Sequence, residues 1–139
     1  MASEYQGSES ANSIIDIRAN GSDLAGKVLP ISMYADSYIR IAVGSGSEPN
    51  VRVRAKRNTI YDVVLPNIGN TNDMTTYIYL ADYITVLRNI YSLQPKKVEV
   101  SAAYRLKELS IGSLALGYSN INLVDVAFRS NRMLEKLEI

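Results

Sequence analysis

The sequence predicts an all-β chain, or mostly so: a small antiparallel β-sandwich-like domain followed by a short β-solenoid segment. Three observations point there. Short apolar/polar alternations recur at roughly ten-residue spacing between clusters of Gly, Pro, Asn and Ser. No long amphipathic helix pattern interrupts the first half. In the second half one apolar template returns in four short segments.

Residues 1–12 are small and polar and read as a flexible N-terminal arm, one that orders on a partner or stays disordered. The antiparallel β-domain covers residues 13–80. Ile14, Ile15 and Ile17 start it, and Asn20-Gly21-Ser22 is a turn signal. Lys27 to Tyr34 reads as a strand in which Pro30 marks an edge or a bulge.

Tyr38 to Val43 alternates, with Ile39, Ile41 and Val43 on one face and Tyr38, Arg40 and Ala42 on the other. Gly44 to Asn50 is a loop, and Val51 to Ala55 alternates again, so the two runs predict an antiparallel hairpin. Thr59 to Leu65 and Thr75 to Leu80 are further strands. In Asp82 to Tyr91 the positions Ile84, Leu87 and Ile90 have a spacing suited to a short helix, against a β-branched content that disfavours one.

Composition narrows the function classes. The chain has 139 residues, 15 Lys+Arg against 14 Asp+Glu, and a formal net charge of +1. Near-neutrality removes the electrostatic case for nucleic acid as the main partner. There is no Cys and no His, which excludes disulfide scaffolds, zinc fingers and nucleophile systems built on either residue. No apolar stretch approaches the ~20 residues that span a bilayer, and the polar start is unlike a secretion signal. We expect no catalytic residues, no cofactor and no metal site, and therefore not an enzyme. Gly44-Ser45-Gly46-Ser47 lacks the lysine and following helix of a phosphate loop. Asp62, Asp73 and Asp82 are too scattered for a calcium loop.

The template in the second half places apolar residues at its first, fourth and sixth positions. Leu106, Leu109 and Ile111 fit it in LKELSI, Leu123, Val126 and Phe128 in LVDVAF, and Leu134, Leu137 and Ile139 in LEKLEI. PKKVEV is a weaker copy with Val98 and Val100. The segments starting at Pro95 and Leu123 superpose without a gap, matching Val98 with Val126, Leu106 with Leu134 and Leu109 with Leu137. Self-similarity at a period near that of leucine-rich repeats (~20–29 residues) predicts stacked coils over residues 81–139, each burying the apolar face its neighbour leaves open. An antiparallel sheet with recurring apolar spacing is the plainer alternative. The last copy ends on Ile139, so we expect a longer native polypeptide or a partner chain covering this end.

The order of LKELSIGS, GYSNINL, a strand and a short turn into LEKLEI resembles the leucine-rich-repeat segments of large virion proteins of tailed phages. These are phages of gut Bacteroidota, the crAss-like phages and their relatives. RNTIYDVVLPNIGNTNDMTTYIYLADYITVL and SMYADSYIRIAVGSGSEPNVRVRAKRN also look like their lead-in. The similarity runs from about Ile31 onward. It implies a non-enzymatic virion component whose partners are other virion proteins or copies of itself, with the virion as its location. Bacterial surface adhesins share the repeat texture, so a host-receptor or glycan-binding adhesion module on a bacterial cell surface is the alternative.

Two surface features are candidate interfaces. Arg40, Arg52, Arg54 and Arg57, with Lys56, form the densest basic set, and alternation puts Arg40, Arg52 and Arg54 on one sheet face. They read as a docking patch for an acidic surface or packaged DNA, or as solvated residues that discourage edge aggregation. Tyr77, Tyr79 and Tyr83 offer an aromatic ledge for a protein or a glycan, from a chain holding 10 Tyr but 1 Phe and no Trp.

Overall fold

The computed structural model describes residues 14–44, 48–100, 103–110, 121–123 and 136–138. Strands dominate them: β1 (Ile14–Ala19), β2 (Val28–Met33), β3 (Ser37–Val43), β4 (Val51–Ala55), β5 (Tyr61–Val64), β6 (Met74–Tyr79), β7 (Ile84–Leu87), β8 (Lys97–Val100), β9 (Glu108–Ser110), β10 (Ile121–Leu123) and β11 (Lys136–Glu138). They form a six-stranded sheet ordered β10-β8-β1-β6-β3-β4 and a five-stranded sheet ordered β11-β9-β7-β2-β5. The chain is thus mostly β, and among the described residues neither sheet closes on itself.

Two-residue periodicity builds the core. Ile15, Ile17 and Ala19 of β1, Ile78 of β6, and Val98 and Val100 of β8 are buried from the first sheet. Leu29, Ile31 and Met33 of β2, Ile84 and Leu87 of β7, and Leu109 of β9 are buried from the second. All belong to one apolar cluster. Alternate residues of a strand point to opposite faces, so β1 and β8 contribute every second residue to this interior.

The hairpin is present, with Ile39 opposite Val53 and Arg40 opposite Arg52. Asn50 closes its mouth with its side chain. Its Oδ1 accepts from the Val43 N–H at 2.8 Å and its Nδ2 donates to the Val43 carbonyl at 2.7 Å, as a strand residue would.

Three local expectations change. The Asn20-Gly21-Ser22 turn is the start of a single helical turn, α1 (Gly21–Leu24), anchored by the Gly21 N–H on the Thr71 carbonyl. Pro30 is not at an edge, because β2 has β5 on one side and β7 on the other. The irregularity falls further along, between Ser32 and Met33. Asp82 to Tyr91 forms no α-helix. The β-branched run Ile84-Thr85-Val86 favours extended backbone, and β7 lies between 3-10 turns at Ala81–Tyr83 and Ile90–Leu93. Ile84, Leu87 and Ile90 are buried all the same, the first two in β7 and the third in the following 3-10 turn rather than on a helical stripe.

Among the described residues, successive strands from β7 on alternate between the two sheets. β7 and β8 still pair antiparallel with β2 and β1, but β9, β10 and β11 each pair in parallel with the strand two before it. Leu87 stands against Leu109, Leu109 against Leu137, and Val98 against Ile121. Leu109 and Leu137 are equivalent template positions, whereas Val98 meets Ile121 rather than the Val126 matched to it by sequence. The boundary expected at Leu80 coincides with the 3-10 turn between β6 and β7, across which both sheets continue: β8 pairs with β1, and β7 with β2. Val98, Val100, Leu106 and Leu109 are fully buried, and Leu123 and Leu137 lie in β10 and β11. Ile111, Val126, Phe128, Leu134, Ile139 and the arm fall outside the described residues.

Candidate functional site

The outer face of the six-stranded sheet gathers most of the polar side chains singled out by sequence. Pairing defines its rows. Glu99, Asp16, Tyr77 and Ala42 run side by side across β8, β1, β6 and β3. Lys97, Arg18 and Thr75 form a parallel row, and Ile14 is opposite Tyr79. At the β4 side, Arg40 is opposite Arg52 and Tyr38 opposite Arg54.

Arg40, Arg52 and Arg54 therefore share this face, in different environments. Arg52 and Arg54 are exposed, while Arg40 is only 7% exposed, with its guanidinium carbon 5.8 Å from the Tyr38 ring centroid. That distance is within cation–π range. Arg57 sits apart in the turn after β4, where its backbone N–H donates to Asp36 Oδ1.

The three candidate tyrosines divide. Tyr77 and Tyr79 are neighbours on the outer face, with ring centroids 6.3 Å apart and planes tilted by 60°. Tyr79 is 5% exposed, so it offers little ring surface to a sugar. Tyr83 is elsewhere, in the 3-10 turn before β7.

Tyr83 belongs to a cluster with no local sequence signal. The Arg105 guanidinium carbon is 4.9 Å from the Tyr34 ring centroid and 4.6 Å from that of Tyr83. The two rings meet edge to face at 6.1 Å, and Arg105 Nη1 donates to the Asp82 carbonyl at 3.0 Å. The Tyr34 N–H also donates to the Tyr83 carbonyl. This cluster ties the β8–β9 connection to the β2–β3 turn and to the corner before β7. Its residues are far apart in sequence, so only the folded chain reveals it.

Asp16 is the other residue that sequence reading passed over. It lies between Tyr77 and Glu99, and its Oδ1 is buried with no hydrogen-bond partner among the described residues. Burial raises its pKa above the ordinary carboxylate value, and the neighbouring Glu99 adds to the rise. Lys97 and Arg18 pull the other way. Lys97 and Glu99 form an ion pair at 3.6 Å, and Arg18 reaches Asp73 at 3.7 Å. Such exposed pairs contribute little to stability, about 0–1 kcal/mol each.

Among the described residues no group of three or more His, Cys, Asp or Glu side chains is placed to hold a metal ion. Among them, too, no helix is long and apolar enough to cross a membrane. The chain matches no family model, no curated protein and no solved structure.

Proposed function

We propose that the chain is a non-enzymatic structural component of a phage particle, a capsid, neck or tail-associated protein. In this reading it works by assembling with copies of itself or with other virion proteins. The observation that carries the reading is the strand pattern from β7 to β11. Strands alternate between sheets, Leu87, Leu109 and Leu137 are successive partners in one row, and Val98 pairs with Ile121 in the other sheet. These separations along the chain fall in the ~20–29-residue range of leucine-rich repeats, and coil-on-coil stacking produces such pairing. They support a short leucine-rich solenoid growing out of a sandwich, in keeping with the resemblance of this segment to phage virion proteins.

Edges support assembly over chemistry. Among the described residues β4, β5, β10 and β11 each have a single strand neighbour. An edge strand presents unpaired N–H and C=O groups to which another chain adds readily.

Solution mass tests this, by size-exclusion with light scattering over a range of concentrations. A defined oligomer, or growth into larger particles, is the expected result. A chain that stays monomeric throughout overturns self-assembly. Retention of that monomer on a glycan array would move it to the adhesion class.

A further inference from the structure

We infer that the β5 edge of the five-stranded sheet is a docking site for an extended segment of a partner protein, which adds to the sheet as a further strand and sets a basic residue between apolar ones. This gives the assembly reading a partner chemistry and rests on it. Among the described residues β2 is the single strand beside β5. In an antiparallel ladder, residues whose backbone groups turn toward a given neighbour alternate with residues whose groups turn away. Three hydrogen bonds fix that alternation here. Just beyond the paired residues, the Leu65 N–H donates to the Lys27 carbonyl at 2.8 Å. On the other side of β2, the Pro30 carbonyl accepts from the Arg88 N–H at 3.1 Å and the Val28 carbonyl from Asn89 Nδ2 at 2.8 Å.

Val28 and Pro30 thus turn their backbone groups away from β5, and Leu29 and Ile31 bond to Val63 and Tyr61, their partners across the ladder. Asp62 and Val64 stand opposite Pro30 and Val28 without bonding to them, so their own N–H and C=O groups point out from the edge. The side chains at these two positions lie on the outer face, because Val63 between them is buried in the core. Both are exposed, and Val64, at 58%, is more so than any other large apolar residue described. An incoming strand therefore finds its backbone partners and its side-chain neighbours at the same two residues.

Their chemistry selects the partner. Asp62 has no side-chain hydrogen bond or ion pair among the described residues, and Pro30 opposite it offers no charge. Opposite charges across a ladder attract and like charges repel, so the position facing Asp62 favours Lys or Arg. Half-buried Val28 stands against Val64, and an apolar residue on the far side of Val64 extends that row. The same carboxylate turns away a second copy. Pairing two β5 strands along their length, Tyr61 against Val63, sets Asp62 against Asp62. Backbone pairing supplies affinity, and the alternating side chains supply selectivity.

The test is fluorescence anisotropy on the full chain with the labelled peptide Thr-Val-Thr-Lys-Thr-Val-Thr, whose side-chain order is the same in either direction. Centred on Asp62, it sets Lys against the carboxylate and Val against Val64. Replacing its Lys by Glu should weaken binding about fivefold or more, and the Asp62→Lys variant should reverse that preference. A second measurement leaves the protein unaltered. N-methylation of the Lys and Val amides, which face β5 in this register, should abolish binding. N-methylation of the two Thr amides beside Val, which point away, should preserve it. A Lys peptide that fails to bind, an unchanged preference in Asp62→Lys, or equal tolerance of the two methylation patterns overturns the proposal. So does a solution dimer that the Lys peptide disperses, because it assigns the edge to a second copy. Solution mass of the chain alone is read separately, so failure of the assembly reading is distinguishable from failure at this edge.

Discussion

The two regions of this chain solve strand pairing differently. Up to β8 every pairing is antiparallel, as in the β3–β4 hairpin, where a single loop brings partners together. From β9 onward every new pairing among the described residues is parallel, and the partner is reached after a visit to the opposite sheet. A parallel pair cannot be joined by a tight turn. The chain changes sheet between successive strands instead. The corners that begin this alternation, on either side of β7, use left-handed backbone at Leu80 (φ 57), Asn89 (φ 71) and Gln94 (φ 52) and no glycine. Asn tolerates that conformation. Leu and Gln adopt it at a cost, which burial of Leu80 and the surrounding contacts must offset.

The regions are joined by the first two strands of the chain. β1 pairs with β6 on one side and β8 on the other, and β2 pairs with β5 and β7. β7 and β8 in turn carry the parallel strands β9 and β10. The largest predicted effect tests whether this makes them one cooperative unit. Ile17 is fully buried, opposite Thr76 in β6 and Val98 in β8. Ile17→Ala should cost about 3 kcal/mol. In urea unfolding, Tyr fluorescence and far-UV circular dichroism should shift together as one transition. Two separated transitions would show that the regions unfold independently, and the comparison would then describe two domains.

A smaller loss is expected at the anchor of the antiparallel region. A Cβ built on Gly21 would lie 2.3 Å from the Gly69 carbonyl oxygen and 2.9 Å from the Met74 sulfur. Met74 could swing aside, but the carbonyl belongs to the backbone. Gly21→Ala should therefore cost about 2 kcal/mol through forced displacement, although alanine is the better helix former. A neutral or stabilising result in thermal unfolding would mean that the Pro66–Thr71 connection yields freely.

The Arg105 cluster is the corresponding anchor of the parallel region, and its expected effect is smaller again. Arg105→Ala should destabilise by about 1 kcal/mol through loss of two ring contacts and one hydrogen bond. A double-mutant cycle with Tyr83→Leu isolates the pair, and a coupling of about 0.5 kcal/mol or more is expected. Coupling near zero would reduce the cluster to a crowded surface.

What could be read in advance follows the same division. The β1, β3, β4, β5 and β6 strands lie close to their alternating runs, because period-two burial is a local property. Val98, Val100, Leu106 and Leu109 are buried for the same reason. Pairing between strands distant in the chain is not local: nothing around Val98 distinguishes Ile121 from Val126 as its partner. Leu80 and Gln94 are not turn-forming residues, so nothing at those two positions signals the left-handed backbone they adopt. Of the candidate interface, alternation placed Arg40, Arg52 and Arg54 on one face, but it could not reveal that Arg40 is buried. Nor could it separate Tyr83 from Tyr77 and Tyr79, since a face is set by strand order and not by sequence distance.

The smallest expected effect lies at the seam itself, on the row joining β8, β1 and β6. Asp16 carries a raised pKa in the folded chain, chiefly from burial. Between its ordinary value of 3.8 and the higher folded value, the native state binds more protons than the unfolded chain. Its contribution is therefore most favourable below pH 3.8 and is lost as the pH rises through the folded pKa. Other carboxylates impose the opposite slope, so the informative quantity is the difference between the parent and Asp16→Asn. The amide remains neutral at every pH, so the variant should be slightly more stable at neutral pH and lose that advantage on acidification. Denaturant unfolding at a series of pH values measures this difference. A difference that is flat with pH would mean that Lys97 and Arg18 offset burial, and one that grows on acidification would mean that they outweigh it. The seam would then be held by charge attraction, as the exposed Lys97–Glu99 pair is, and not by the packing that holds the interior.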